Sequence, residues 1–67
     1  MKFMTIAVYR IEKGERVDNT ATIDYAVTKI EIKDEHYEIT SYDVYKKKYE
    51  IWTVPTTNYE IVINKFF

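Results

Sequence analysis

The chain has no cysteine, leucine or glutamine, and only one each of glycine, proline, serine, histidine and tryptophan in its 67 residues. Each shortage excludes something. Without cysteine there is no disulfide and no thiolate–zinc site, which fits a reducing compartment. Ser41 is the only serine and His36 the only histidine. The usual nucleophile–base pairs are therefore poorly supplied, and no Thr or Lys is singled out by its spacing. The Asp-x-Asp-x-Asp-Gly spacing of a calcium loop is missing too. No catalytic residue, cofactor or metal is assigned, and the expectation is a protein that is not an enzyme. No apolar run approaches membrane-spanning length. The apolar start, Met1-Lys2-Phe3-Met4, meets Arg10, Glu12 and Lys13 before a signal-peptide core can form. A soluble, cytoplasmic protein is expected, in the host cytoplasm if the source is viral.

What is present points to strands. Nine Ile, six Val, eight Thr and seven Tyr are residues that pack well on a pleated surface and lose rotamer freedom in a helix. The expected class is all-β, with residues 1–67 forming one small domain. A chain of this size has a thin core, which a second subunit can supplement. A net charge of −1 predicts no global attraction to phosphate.

Five strand-like runs follow one another, at about 3–11, 20–33, 36–45, 49–54 and 59–66. The first is apolar on both faces, with Phe3, Tyr9 and Ile11 on one and Met4, Ile6 and Val8 on the other. Such a strand belongs in a sheet centre, a closed barrel or a dimer interface. Gly14 and Asp18-Asn19 are turn signals, so residues 12–19 read as one long loop.

The central hairpin is the most informative segment. A tight turn at Asp34-Glu35 pairs residues whose numbers sum to 69, placing Ile32 opposite Tyr37 and Ile30 opposite Ile39. Farther from the turn, Val27 would face Tyr42 and Tyr25 would face Val44, on the opposite side of the sheet. Both strands thus switch their apolar face at one level, as a sharply bent hairpin serving two packed layers requires. The alternative is two ordinary strands with imperfect alternation. Pro55 ends a strand or occupies a sheet edge. The expected architecture is a small five-stranded barrel, or a strongly bent antiparallel meander.

Residues Pro55-Thr56-Thr57-Asn58-Tyr59 resemble the Pro-x-Asn-Tyr segment before the last strand of the SH3 barrel, with one residue more. That family also has five strands and a long first loop, so the resemblance implies an SH3-like barrel topology. The acidic, Tyr-rich motif and the characteristic glycines of the family are missing here, and no binding residue is carried over.

Two surface candidates emerge. Glu31, Asp34, Glu35, Glu38 and Asp43 crowd the central hairpin, with Glu31 opposite Glu38 on the face away from Ile30. They form either an ordinary solvated face or an acidic surface that docks a basic partner. Tyr45, Lys46, Lys47, Lys48, Tyr49 and Trp52 have the residue types of a single-strand nucleic-acid site. Alternation separates Trp52 from Tyr45 and Tyr49, however, and a loop at Lys46–Lys48 would leave Tyr42, Val44, Ile51, Trp52 and Val54 for the core. Phe66 and Phe67 are expected to pack on the domain or on a second subunit in a homodimer. The leading expectation is a non-enzymatic protein-binding module, a small acidic inhibitor or adaptor of the kind made by phages and mobile elements. It would act through the acidic hairpin face or a free sheet edge. The alternative is a nucleic-acid-binding barrel using residues 45–52.

Overall fold

The computed structural model describes residues 3–17 and 21–66, and every regular element among them is a strand. These are β1 (Met4–Glu12), β2 (Glu15–Arg16), β3 (Thr22–Lys33), β4 (His36–Asp43), β5 (Lys48–Pro55) and β6 (Tyr59–Phe66). No helix among the described residues is long and apolar enough to cross a membrane. All pairings are antiparallel. The long strands run in the order β6-β1-β3-β4-β5, with β2 as a short hairpin on the end of β1. The class is all-β, as the composition predicts, but there are six strands rather than five. β1 is an interior strand, paired along both sides by β3 and β6, which agrees with the first of the three places its two apolar faces suggested.

The barrel expectation is corrected: the six-stranded sheet is not closed, because β5 and β6 end it without pairing each other. The reason is topological. Five long strands with antiparallel neighbours can close only through one parallel junction, and parallel neighbours need a crossover of about a dozen residues or more. Only residues 56–58 join β5 to β6.

That short link has a second consequence. The edges of a flat sheet four strand spacings apart stand about 19 Å from each other. Four Cα steps from Pro55 to Tyr59 reach at most about 14 Å. The sheet must therefore fold over on itself. Tyr37, Trp52 and Val54 from β4 and β5 pack against a buried cluster of Ile6, Val8, Val27 and Ile39, joined by Met4, Ile30, Tyr59 and Ile61.

β3 makes the fold-over possible. Near the turn the expected register is found, with Ile32↔Tyr37, Glu31↔Glu38 and Ile30↔Ile39. The pairs then shift from Lys29↔Thr40 to Val27↔Ser41, so Thr28 is an extra residue on β3, a β-bulge. This corrects the expected Val27↔Tyr42 and Tyr25↔Val44 pairs. Only β3 carries the bulge. β4 stays in unbroken register with β5 from His36↔Pro55 to Asp43↔Lys48, so it does not switch faces and Tyr42 remains on the side away from Ile39. A second irregularity on β3 lies between Asp24 and Val27, where Asp24 Oδ1 accepts the Ala26 N–H at 3.0 Å.

Two turns also differ from expectation. The supposed long loop at 12–19 is a tight hairpin with Ile11↔Arg16 and Glu12↔Glu15. Lys13 and Gly14 both take left-handed φ, 53° and 78°, which matches the twist of flanking strands in a two-residue turn. Asp18 and Asn19 lie outside the described residues, as do the ends carrying Met1, Lys2 and Phe67 and the side chain of Phe66. Between β4 and β5 the loop is Val44–Lys47, and Lys48 already belongs to β5. Asp43 Oδ1 accepts the N–H groups of Tyr45 (2.9 Å) and Lys46 (3.1 Å), and Lys47 takes φ 54°. An Asx-type cap thus fixes the turn one residue early. Val44 and Ile51 are consequently exposed rather than in the core, whereas Trp52 and Val54 do pack on it.

Candidate functional site

β5 and β6 are the open edges of the sheet, and of the two β5 carries the more exposed apolar side chains among the described residues. Thr56 N–H donates to the Glu35 carbonyl at 2.9 Å, which sets the phase of the ladder. Even-numbered residues of β5 aim their backbone at β4, and odd-numbered ones aim outward. Pro55, lacking an N–H, falls at an outward position, where its missing donor costs the ladder nothing. The same odd residues put their side chains on the outer face, because Trp52 and Val54 turn inward to the core. There Ile51 is 61% exposed and Tyr49 48% exposed. Tyr49 meets Tyr42 edge-on, with ring centroids 5.0 Å apart, and Tyr42 stacks on Phe3 at 6.3 Å. A row of aromatic and aliphatic groups thus continues from the open edge across the outer face of β4 to the start of β1. A concavity lined by Asp34, Glu35, His36, Thr53 and Pro55 marks the far end of the edge.

The acidic hairpin residues are spread over different tasks. Glu31 and Glu38 oppose each other, yet each has a lysine of its own: Lys29–Glu31 at 2.6 Å and Lys33–Glu38 at 3.3 Å. The hydrogen bond from Lys29 holds the Glu31 carboxyl below its ordinary pKa and raises that of Lys29. Asp43 is occupied in capping its loop, and Asp34 takes the turn position with φ 54°. That conformation suits a short polar side chain. Asp34 and Glu35 carry no ion pair among the described residues.

The lysine segment is likewise divided. Lys46 pairs with Glu50 at 3.0 Å, which raises its pKa. Lys47 sits in the loop, and Lys48 opposes Asp43. Tyr45 projects from the loop tip at 94% exposure, Tyr49 lies on the outer face, and Trp52 lies on the inner one. Trp52 Nε1–H donates to Asp24 Oδ2 at 3.3 Å. The three aromatic rings therefore do not form one stacking platform. Residues that sequence reading missed are Phe3, Tyr42 and Ile51 as a surface group and Asp24 as the partner of Trp52. The sequence reading assigned Ile51 to the core with Trp52 and Val54, because both faces of β5 are apolar and alternation does not say which is buried.

Among the described residues no group of three or more His, Asp or Glu is placed to hold a metal ion. No known family model, curated protein or solved structure matches the chain.

Proposed function

We propose that the protein is a non-enzymatic protein-binding module that engages its partner by strand addition at β5. The observation that carries this reading is the coincidence, on one edge, of outward-facing backbone at Ile51 and Thr53 with exposed Ile51 and the aromatic row beside it. In strand addition the main chain supplies affinity, while alternate side chains supply specificity. Native edge strands are commonly blunted by charge, proline or a bulge. On β5 the lysine and the proline stand at the two ends and leave the middle open. The acidic hairpin supports docking less well, because Glu31 and Glu38 are each paired with a lysine of the same chain.

Selection of linear peptides on the native protein tests the reading, with Thr53→Pro as the counter-screen. Thr53 N–H points away from β4, so proline there blocks the edge and spares the internal ladder. Recovered peptides should bind the native chain and lose Thr53→Pro, with an unchanged circular dichroism spectrum for the variant. Peptides indifferent to Thr53→Pro, or none at all, would refute it. So would salt-sensitive oligonucleotide binding that disappears on Lys46–Lys48→Ala, which is the signature of the nucleic-acid alternative.

A further inference from the structure

We infer that the strand added at β5 is β5 of a second copy, in an antiparallel pair centred on Ile51; this rests on the strand-addition reading above. The phase of the ladder allows only odd-to-odd narrow pairing, because the outward-aimed groups belong to Tyr49, Ile51 and Thr53. Three centred registers satisfy that. One brings Glu50 against Glu50 of the second copy, and directly opposed like charges are unfavourable. Another sets Tyr49 against Pro55, which offers no N–H. The third places Ile51 against Ile51 and Tyr49 against Thr53, and it uses only side chains that are exposed or half-exposed in the single chain.

Charge selects the same arrangement. The edge is polarised: the loop carrying Lys46 and Lys47 stands at its start, and the Asp34-Glu35 turn stands beside Pro55 at its end. Lys47, Asp34 and Glu35 have no ion pair among the described residues. Antiparallel pairing about Ile51 brings Lys47 of each copy level with Pro55 of the other. There it meets the concavity of Asp34, Glu35 and His36. By twofold symmetry the match occurs at both ends, the self-complementarity of an isologous interface. A net charge of −1 adds little repulsion between copies. The paired edges extend the sheet across both molecules and remove β5 from solvent, leaving the outer aromatic row continuous over the junction.

Sedimentation equilibrium from micromolar to millimolar concentration, on the native chain and on charge variants, tests this. The native chain should reach dimer mass. Lys47→Glu sets three carboxylates together at each end, and Asp34→Asn with Glu35→Lys sets two lysines together. Each variant alone should dimerise about tenfold more weakly, and an equimolar mixture of the two should recover native affinity, because both ends become complementary again. A native chain that stays monomeric, or a mixture no tighter than its components, overturns the inference. If the chain is monomeric yet selected peptides still require Thr53, the second-copy assignment alone fails. If Thr53→Pro affects neither peptide binding nor mass, strand addition itself fails.

Discussion

Trp52 Nε1 lies 3.3 Å from Asp24 Oδ2, joining β5 to β3 across a sheet in which β4 stands between them. The bond exists because the sheet folds over and brings the inner face of β5 against the start of β3. The same carboxylate accepts the Ala26 N–H through its other oxygen, so one side chain fixes both the bulged stretch of β3 and the indole.

Asp24→Ala should therefore destabilise the fold by about 1–2 kcal/mol, since it orphans two donors in a half-buried setting. Asp24→Asn keeps an acceptor and should lose less than half as much. Urea unfolding followed by the emission of Trp52, the only tryptophan, measures both. Equal losses for the two variants would mean that the hydrogen bonds are incidental.

The extra residue on β3 gives a sharper test. Thr28→Ala keeps the extra residue but removes its γ-methyl and the Oγ1–H bond to the Thr40 carbonyl at 3.3 Å, and it should cost about 0.5–1.5 kcal/mol. Deleting Thr28 instead restores strict alternation with Val27 still opposite Ser41 on the inner face, so it removes the local bend of the bulge and leaves the face of Val27 unchanged. Because the fold-over depends on that bend, the deletion should lower the urea midpoint well below that of the alanine variant. A deletion no worse than the alanine variant would show that the bend does not depend on the bulge.

Gly14 isolates backbone strain. A Cβ there meets nothing within 4 Å, but φ is +78°. Gly14→Ala should cost about 1 kcal/mol from conformation only, with Gly14→Asn falling between alanine and the native residue. Thermal midpoints in that order check it, and a loss far beyond that size would point to a contact instead.

The outer end of the sheet carries a pH-dependent element. Arg16 bonds both carboxylate oxygens of Glu60, at 3.2 and 2.9 Å, while its guanidinium lies 4.2 Å above the Tyr9 ring. Chiefly through that hydrogen bond, Arg16 holds the Glu60 carboxyl below its ordinary pKa. A carboxyl lowered in the folded state stabilises it above the unfolded pKa of about 4.3. That contribution is lost as pH falls through the lower, folded value. Glu60→Gln should thus lower the urea midpoint slightly at pH 7 and converge on the native chain as the pH falls through the lowered, folded value. Because the pair is exposed, the difference should shrink in molar salt. A midpoint difference independent of pH would assign the effect to packing.

How far the sequence could be read depends on how local the determining physics is. The register of the β3–β4 hairpin near its turn was legible, because Ile30, Ile32, Tyr37 and Ile39 match in one pairing and fail in the next. Farther along, the same alternation misplaced Tyr42 and Val44, because a bulge on one strand and a two-strand switch leave similar parity in the sequence. For the candidate site, composition drew attention to charged side chains, yet most of those are tied to partners from their own chain. Ile51, which looks like a core residue by type, lies at the open edge.

The sequence by itself determined an all-β chain with turns at Asp34-Glu35 and around Gly14 and with Pro55 at a strand end, because propensity, side-chain period and proline chemistry act over a few residues. Tertiary structure alone decided that the sheet stays open, that β5 is an edge, and which of its two apolar faces is buried. Those outcomes depend on where a three-residue link forces distant strands to meet, and no local pattern encodes that meeting.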